Sequence, residues 1–368
     1  MKRLRYAVVG IGSIAQEAIL PAFQHAENSE LVTLVSGDDQ KREELGRKYS
    51  CRTYKYEQFE QCLSSGEVDA VYIALPNHLH RQYAEHAARN GIHILCEKPL
   101  APSEEDCLAI MEAARAGGVN LMTAYRLHFE ETNMEAVRIC QSGKLGDLRV
   151  FHSVFCQQVA EGNVRLTQTS DRGGGPLFDM GVYCINAARY LFSDEPVDVV
   201  AFRGNNGEGR FEKNEEMVSV LLRFPKDRLA NFTVSFGAAH VGHYTVIGTK
   251  GTLTADPAYN YSTDMHLRLS ADGETGERVY PKRDQFAAEL IYFSNCALEN
   301  RQPEPSGEEG LIDVQIVNAA YRACETGTTV PIPATHRNLR PGPSQVIHRP
   351  PVEKPELLHA KPPAASKD

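Results

Sequence analysis

Asp179 and Tyr183 stand four residues apart in Asp179-Met180-Gly181-Val182-Tyr183, just after Gly173-Gly174-Gly175. The glycines allow a close loop approach, and a helix starting there puts residues 179 and 183 one turn apart on one face. A carboxylate and a phenol presented together can orient a hydroxyl and take its proton. The same spacing also suits a first-turn helix carboxylate followed by a core tyrosine. Lys98 lies in Glu97-Lys98-Pro99, at the end of the apolar run Ile92–Cys96. A lysine there reaches into the crevice where open α/β sheets hold ligands, and the proline can set a cis peptide that aims it. A surface lysine before a turn proline would read the same way.

A third group handles phosphate. Gly10-Ile11-Gly12-Ser13-Ile14-Ala15 follows the apolar run Tyr6–Val9 and opens a helix. Gly10 permits the tight turn, Gly12 lets backbone approach a pyrophosphate, and Ala15 allows close helix–strand packing. The free N–H groups at this helix start, around Ser13 and Ile14, face phosphate with the positive end of the dipole. The expectation is dinucleotide binding. At the end of the second strand an NAD enzyme usually carries an acid for the ribose hydroxyls. Here stand Ser36-Gly37-Asp38-Asp39-Gln40-Lys41-Arg42. Ser36 and Gly37 leave room for a 2′-phosphate, and Lys41 and Arg42 bring positive charge. Asp38 and Asp39 act against that. NADP is expected over NAD.

These residues need strands that end where the chemistry is. Runs at Tyr6–Val9, Leu31–Val35, Ala70–Leu75, Ile92–Cys96 and Asn120–Ala124 alternate with helical stretches, among them Lys41–Tyr49 and Arg81–Asn90. Such alternation implies right-handed crossovers and a doubly wound parallel Rossmann sheet over residues 1–126. Beyond Arg126, a helix at Asn133–Ser142 is followed by strand-like runs at Leu148–Phe155, Val197–Arg203, Met217–Phe224, Leu229–Phe236, Tyr244–Ile247 and Leu253–Ala255. One helix, Met180–Leu191, is inserted, and another, Gly310–Glu325, closes the series. The expectation for 127–338 is an α+β domain for substrate binding and oligomerisation, with a mostly antiparallel open sheet. Gly248-Thr249-Lys250-Gly251 reads as a hairpin turn, lacking the spacing of a phosphate loop. Residues 339–368 are Pro-rich and read as an extended arm or disordered tail.

Taken in order, Gly10-x-Gly12-x-x-Ala15, Glu97-Lys98-Pro99 and Asp179-x-x-x-Tyr183 resemble the Gfo/Idh/MocA oxidoreductase family, over roughly residues 5 to 335. Within it, Ser36–Lys41 and Gly173–Leu191 are most similar to glucose–fructose oxidoreductase and its relatives. In those relatives a tyrosine stands at the Tyr183 place, where many family members carry histidine. The resemblance implies Tyr183 as general acid/base and Lys98 as the ammonium that favours its phenolate and binds substrate. It implies Asp179 holding a sugar hydroxyl and Arg126 lining the same cleft. Leu75, Pro76, Asn77 and His80 resemble the cofactor-side loop, and Glu97 and Lys98 belong to it as well. The implied activity is hydride transfer between nicotinamide and a sugar or polyol carbon. Dehydrogenases of inositol or cyclic diols, and a ligand-sensing regulator on the same fold, are alternatives the sequence leaves open.

Composition narrows the rest. At 368 residues the chain suits two domains, and a 42% apolar content supports two cores. A net charge of -9 argues against a nucleic-acid surface. No run has the length of a membrane span or signal peptide. Nine scattered cysteines without a CxxC pair suit a reducing cytoplasm and no metal. His78 with His80, and His240 with His243, lack the spacing of a metal motif. The open sheet face predicts a homodimer or homotetramer.

Overall fold

The computed structural model describes residues 2–335, 337 and 339–360. The described chain forms two compact units, one of residues 2–126, 283–311 and 348–360, the other of 127–282 and 312–347. The first break falls at Arg126, but the units are not contiguous stretches, in contrast to the expected division at 127–338 and 339–368. Residues 361–368 of the expected arm, with His336 and Asn338, lie outside the described residues.

In the first unit, β1 (Leu4–Val9), β2 (Ser29–Val35), β3 (Arg52–Tyr54), β4 (Ala70–Ile73), β5 (His93–Glu97) and β6 (Leu121–Ala124) form one sheet in the order β3-β2-β1-β4-β5-β6. Every pairing is parallel, and the order reverses beside β1, the switch point of a doubly wound fold. Residues 6 to 9 of β1 are fully buried, as a central parallel strand with both faces covered requires. Strand β3 was not expected; three residues are too few to show a periodicity. Helix Asp39–Tyr49 is capped by Asp38, and Glu104–Gly117 by Ser103, whose hydroxyl accepts from the Asp106 amide.

Helix Gln285–Leu298 explains why the first unit is discontinuous. Ten of its residues are buried, so it carries no polar stripe to mark it as a helix in sequence. Polar side chains fasten it to the first sheet. Tyr6 OH and Ser29 Oγ each lie 2.7 Å from Ser294 Oγ, and Asn28 Nδ2 donates to Ile291 O at 3.0 Å. Beyond it, Thr123 N donates to Pro305 O at 2.8 Å and Asn120 Nδ2 to Arg301 O at 2.8 Å, covering the β6 edge.

The second unit is built on β7 (Leu148–Cys156), β8 (Asp198–Gly204), β9 (Met217–Phe224), β10 (Arg228–Ser235), β11 (Val241–Gly248), β12 (Gly251–Ala255), β13 (Met265–Ala271), β14 (Glu274–Tyr280) and β15 (Val330–Pro331). Their order is β14-β13-β12-β11-β7-β10-β9-β8-β15. Only β7 with β10 is parallel; the other pairings are antiparallel. Strands β13 and β14 extend the sheet beyond the runs legible in the sequence, because β14 reads Glu274-Thr275-Gly276-Glu277-Arg278 with those five residues exposed. Gly248 and Gly251 flank the turn joining β11 to β12, as a hairpin demands.

Along β9, Val218, Val220, Leu222 and Phe224 point into the core, while Met217, Ser219, Leu221 and Arg223 point out. Register continues the outward rows: Phe202, Ser219, Thr233 and Val154 pair in one, and Val200, Leu221, Asn231 and His152 in the next. His243 pairs with Val154, so it too belongs to this outer row. Helices Glu131–Gln141 and Val182–Phe192 belong to the buried side. There Arg189, fully buried, meets Glu195 Oε2 and Asp313 Oδ1, each at 2.5 Å. Among the described residues no helix is long and apolar enough to cross a membrane.

Candidate active site

The glycine turn comes first, because it has the least freedom. Gly10 sits at φ +92°, and a Cβ there would lie 2.5 Å from the Ala74 carbonyl oxygen and 2.9 Å from Leu75 Cδ2. Only glycine fits against the end of β4 in that conformation. At Gly12 a Cβ would meet nothing within 4 Å, so backbone is open to a ligand on that side. Ser13 and Ile14 are partly exposed beside it. Gln16, buried in the first turns of the following helix, donates through Nε2 to Ile11 O at 3.1 Å.

At the end of β2, Ser36 is buried and its Oγ accepts from the Asp38 amide at 3.2 Å. Asp38 has both carboxylate oxygens engaged. Oδ1 accepts from Lys41 N at 3.0 Å, and Oδ2 lies 2.9 Å from His359 Nδ1. These contacts, the Lys41 amide foremost, hold the Asp38 carboxyl below its usual range. Arg42 Nη1 donates to Ser36 O at 2.5 Å, and its other arm pairs with Asp39. Lys41 is partly buried, and desolvation lowers its pKa against the opposing pull of Asp38. Gly37 is tight: a Cβ would come 3.3 Å from the Tyr56 ring.

The loop after β4 and the loop after β5 are tied by one side chain. His80 has no exposure; its Nε2 lies 2.9 Å from Leu75 O, and its Nδ1 lies 3.1 Å from both Pro99 O and Leu100 O. Burial pulls its pKa below the usual value, and the three carbonyls oppose that. The ring expected on the cofactor side thus acts as a strut between two loops. Leu75 is buried against Gly10, and Pro76 and Asn77 are partly exposed next to it. The Lys98–Pro99 bond is cis.

Behind Lys98 lies a polar chain that the sequence did not disclose. Tyr72 OH stands 3.0 Å from Glu97 Oε1 and 2.9 Å from Glu289 Oε1. One hydroxyl proton cannot serve two carboxylates. Glu289 is fully buried on helix Gln285–Leu298, and burial, reinforced by Glu97, raises its pKa well above the carboxyl range. Glu289 therefore keeps a proton and donates to Tyr72, which in turn donates to Glu97. The only signal in the sequence was a lone glutamate in Phe286-Ala287-Ala288-Glu289-Leu290-Ile291. Arg126, 5% exposed, pairs with Gln285 of the same helix and lies 5.9 Å over the Phe286 ring.

Asp179 and Tyr183 belong to the second unit, Lys98 to the first. Asp179 lies in a π-helical turn, Leu177–Gly181, not in the α-helix expected, and Tyr183 in the α-helix after it, Val182–Phe192. Such turns recur at functional sites, since the extra residue re-aims the side chains after it. The glycines before it are obligatory. A Cβ on Gly174 would sit 1.9 Å from Gln168 O, and Gly175, at φ +91°, would bring one 2.8 Å from Glu215 Oε1. Arg165, fourteen residues upstream and without any motif, pairs through Nε with Asp179 Oδ1 at 2.8 Å. Tyr183 is partly exposed, its ring edge-on to Phe155 at 5.8 Å and 6.0 Å from Tyr259. The His152 and His243 rings lie 6.4 Å apart, tilted by 59°, on the outer sheet face. No group of three or more metal-binding side chains occurs among the described residues.

The chain is similar to known proteins in family and fold. Residues 4–125 match the model described as an oxidoreductase family with NAD-binding Rossmann fold, GFO_IDH_MocA, and residues 134–254 match the GFO/IDH/MocA C-terminal domain. The chain is 31% identical over 337 residues to a D-xylose 1-dehydrogenase (NADP(+)) of Haloarcula marismortui, covering 89% of this chain and 92% of that one. The structure resembles an aldose-aldose oxidoreductase from Caulobacter crescentus complexed with glycerol, with TM-score 0.86 and 36% identity, covering 90% of this chain and 100% of that one. A 3-ketoreductase from Actinomadura kijaniata, solved with NADP and TDP-benzene, has TM-score 0.80 at 24% identity, covering 88% and 98%; that likeness is one of fold.

The buried acid makes stability depend on pH. A carboxyl whose folded pKa lies above its unfolded one stabilises fully below the unfolded value and loses that contribution as pH rises towards the folded value. Glu289→Gln keeps the shape and the donor to Tyr72 while removing the titration. Urea unfolding of Glu289→Gln and wild type should differ least near pH 5. The difference should move in favour of the glutamine variant towards pH 8, by at most about 1.4 kcal/mol per pH unit. A difference independent of pH would show that Glu289 is ionised in the fold.

Proposed function

The chain belongs to the GFO/IDH/MocA oxidoreductase family, and from that premise we propose that it uses NADP to move a hydride to or from a hydroxyl-bearing carbon of a sugar. The observation that carries the cofactor half is at Asp38. Its two oxygens already meet the Lys41 amide and His359, and these contacts compete with a ribose diol for the acid that an NAD enzyme would offer. Ser36, Gly37 and Lys41 are left to receive a 2′-phosphate, and Gly10, Gly12, Ser13 and Ile14 the pyrophosphate. The relatives named above, a xylose dehydrogenase using NADP(+) and an aldose-aldose oxidoreductase, support a sugar as the substrate.

When bound, the nicotinamide supplies the hydride donor or acceptor. The rest is acid–base work by this chain. Tyr183 exchanges the hydroxyl proton of the reacting carbon, and Lys98 binds that hydroxyl and stabilises negative charge on it. Asp179, held by Arg165, orients a neighbouring sugar hydroxyl. Glu97, through Tyr72 and Glu289, fixes the strand end that carries Lys98. All nine cysteines are free, which suits a reducing cytoplasm.

The outer face of the second sheet supports self-association. Phe202 is 72% exposed, and Met217, Leu221, Leu229 and Ile247 are exposed on neighbouring strands. A homodimer or homotetramer would cover them. Sedimentation should show an oligomer at micromolar concentration that Phe202→Glu with Leu221→Glu dissociates; a wild-type monomer would sink this assignment.

Lys41→Ala should weaken NADPH by about 1–3 kcal/mol and spare NADH. Titration with both dinucleotides checks it, and equal losses would remove Lys41 from the 2′-phosphate site. For the chemistry, Tyr183→Phe should lower turnover by roughly 10²–10⁴-fold while leaving NADPH binding intact. Lys98→Ala should also be severely impaired, and the double variant little worse than the worse single one. Steady-state rates across a panel of aldoses and polyols decide this, and near-wild-type turnover by Tyr183→Phe would exclude it as the acid/base.

A further inference from the structure

Residues His348 to Ala360 have no regular structure, yet they are anchored along the glycine-turn helix. Arg349 Nε donates to His25 O at 3.0 Å, and its guanidinium also pairs with Glu27. Five residues on, Lys354 Nζ lies 2.9 Å from Glu17 Oε1. Leu358 then makes a paired contact with the Gln16 amide: its N–H donates to Oε1 at 2.8 Å and its carbonyl accepts from Nε2 at 2.9 Å. His359 ends the run with Nδ1 at 2.9 Å from Asp38 Oδ2. The segment therefore follows the helix from its far end back to its start, and finishes at the tip of β2.

One end contact adjoins the glycine turn, and the other falls just after β2. The Gln16 amide that grips Leu358 also donates to Ile11 O, inside Gly10-Ile11-Gly12. Asp38 is the acid next to Ser36 and Gly37, where a ribose 2′ substituent must lie. Its carboxylate would repel a 2′-phosphate. A histidine donating to it offsets that repulsion and occupies the oxygen that a ribose hydroxyl would otherwise use. Prolines 350, 351 and 355 stiffen the segment, so little freedom is lost in seating it.

We propose that this C-terminal segment is a built part of the cofactor site, with His359 acting on Asp38 as a specificity-determining contact that favours a 2′-phosphorylated dinucleotide. The inference rests on the NADP reading and adds to it a residue outside both matched family domains.

The test is fluorescence titration of the full chain with NADPH and with NADH, for wild type, His359→Ala, Leu358→Pro, Asp38→Asn and Asp38→Asn with His359→Ala. His359→Ala should raise the NADPH Kd by roughly two- to fivefold, the scale of one partly exposed charge contact, with NADH unchanged or tightened as the Asp38 oxygen is freed for a ribose hydroxyl. Leu358→Pro removes the N–H given to Gln16 and should act in the same direction. Asparagine still caps the helix, so Asp38→Asn should fold normally, and in that background His359→Ala should have no further effect. Unchanged NADPH affinity in His359→Ala, equal losses for both dinucleotides, or an effect that persists with Asn at 38 would each overturn the proposal. Wild type binding NADH more tightly than NADPH would instead overturn the NADP reading, a separate outcome of the same titrations.

Discussion

A carbonyl oxygen at the end of β4 leaves no space for a side chain at the end of β1. Ala74 O would be 2.5 Å from any Cβ on residue 10, and Gly10 answers with φ +92°. That close approach lets the chain reverse within three residues and start a helix with its N–H groups facing outward. Gln16 then falls where its amide reaches back to Ile11 O and outward to Leu358. The phosphate turn, its helix and the C-terminal segment all follow from one steric limit.

The loops after β4 and β5 in the first unit are held by buried polar groups as well as by apolar packing. His80 lies within hydrogen-bond distance of carbonyls of two successive loops, and the Glu289–Tyr72–Glu97 chain backs the strand end before Lys98. Buried polar networks are costly when incomplete and specify one arrangement when complete. Here Tyr72 links two carboxyls, and burial of Glu289 favours its protonated form. The helix supplying Glu289 comes from residues 285–298, far along the chain, and this ties the first unit's sheet to sequence beyond most of the second.

The second unit solves a different problem. Its sheet needs one face for its own core and leaves the other outward, and β9 alternates strictly between the two. Asp179 and Tyr183 come from the buried side, at a helix start that glycines allow to pass close to Gln168 and Glu215. The π-helical turn inserts a residue between the glycines and the α-helix, and Arg165 fixes the carboxylate from a separate short helix. The histidines at 152 and 243 sit on the opposite face, which separates them from that helix start by register alone.

The sequence determined whatever depends on local pattern. Alternating apolar runs and helical stretches give a parallel sheet, period-two runs give an open antiparallel one, and Gly10-x-Gly12-x-x-Ala15 with Glu97-Lys98-Pro99 and Asp179-x-x-x-Tyr183 gives the family, because these are short-range steric and chemical requirements. Strands too short or too polar to show a period, β3 and β14, escaped it, as did a helix buried all round. Only the tertiary structure decided which distant side chains meet. Glu289 joins Glu97 through Tyr72, Arg165 finds Asp179, His80 turns from cofactor-side candidate into strut, and His359 reaches Asp38 across 321 positions. Such contacts are set by how whole elements pack, and packing is a sum over many weak interactions that no local spacing records.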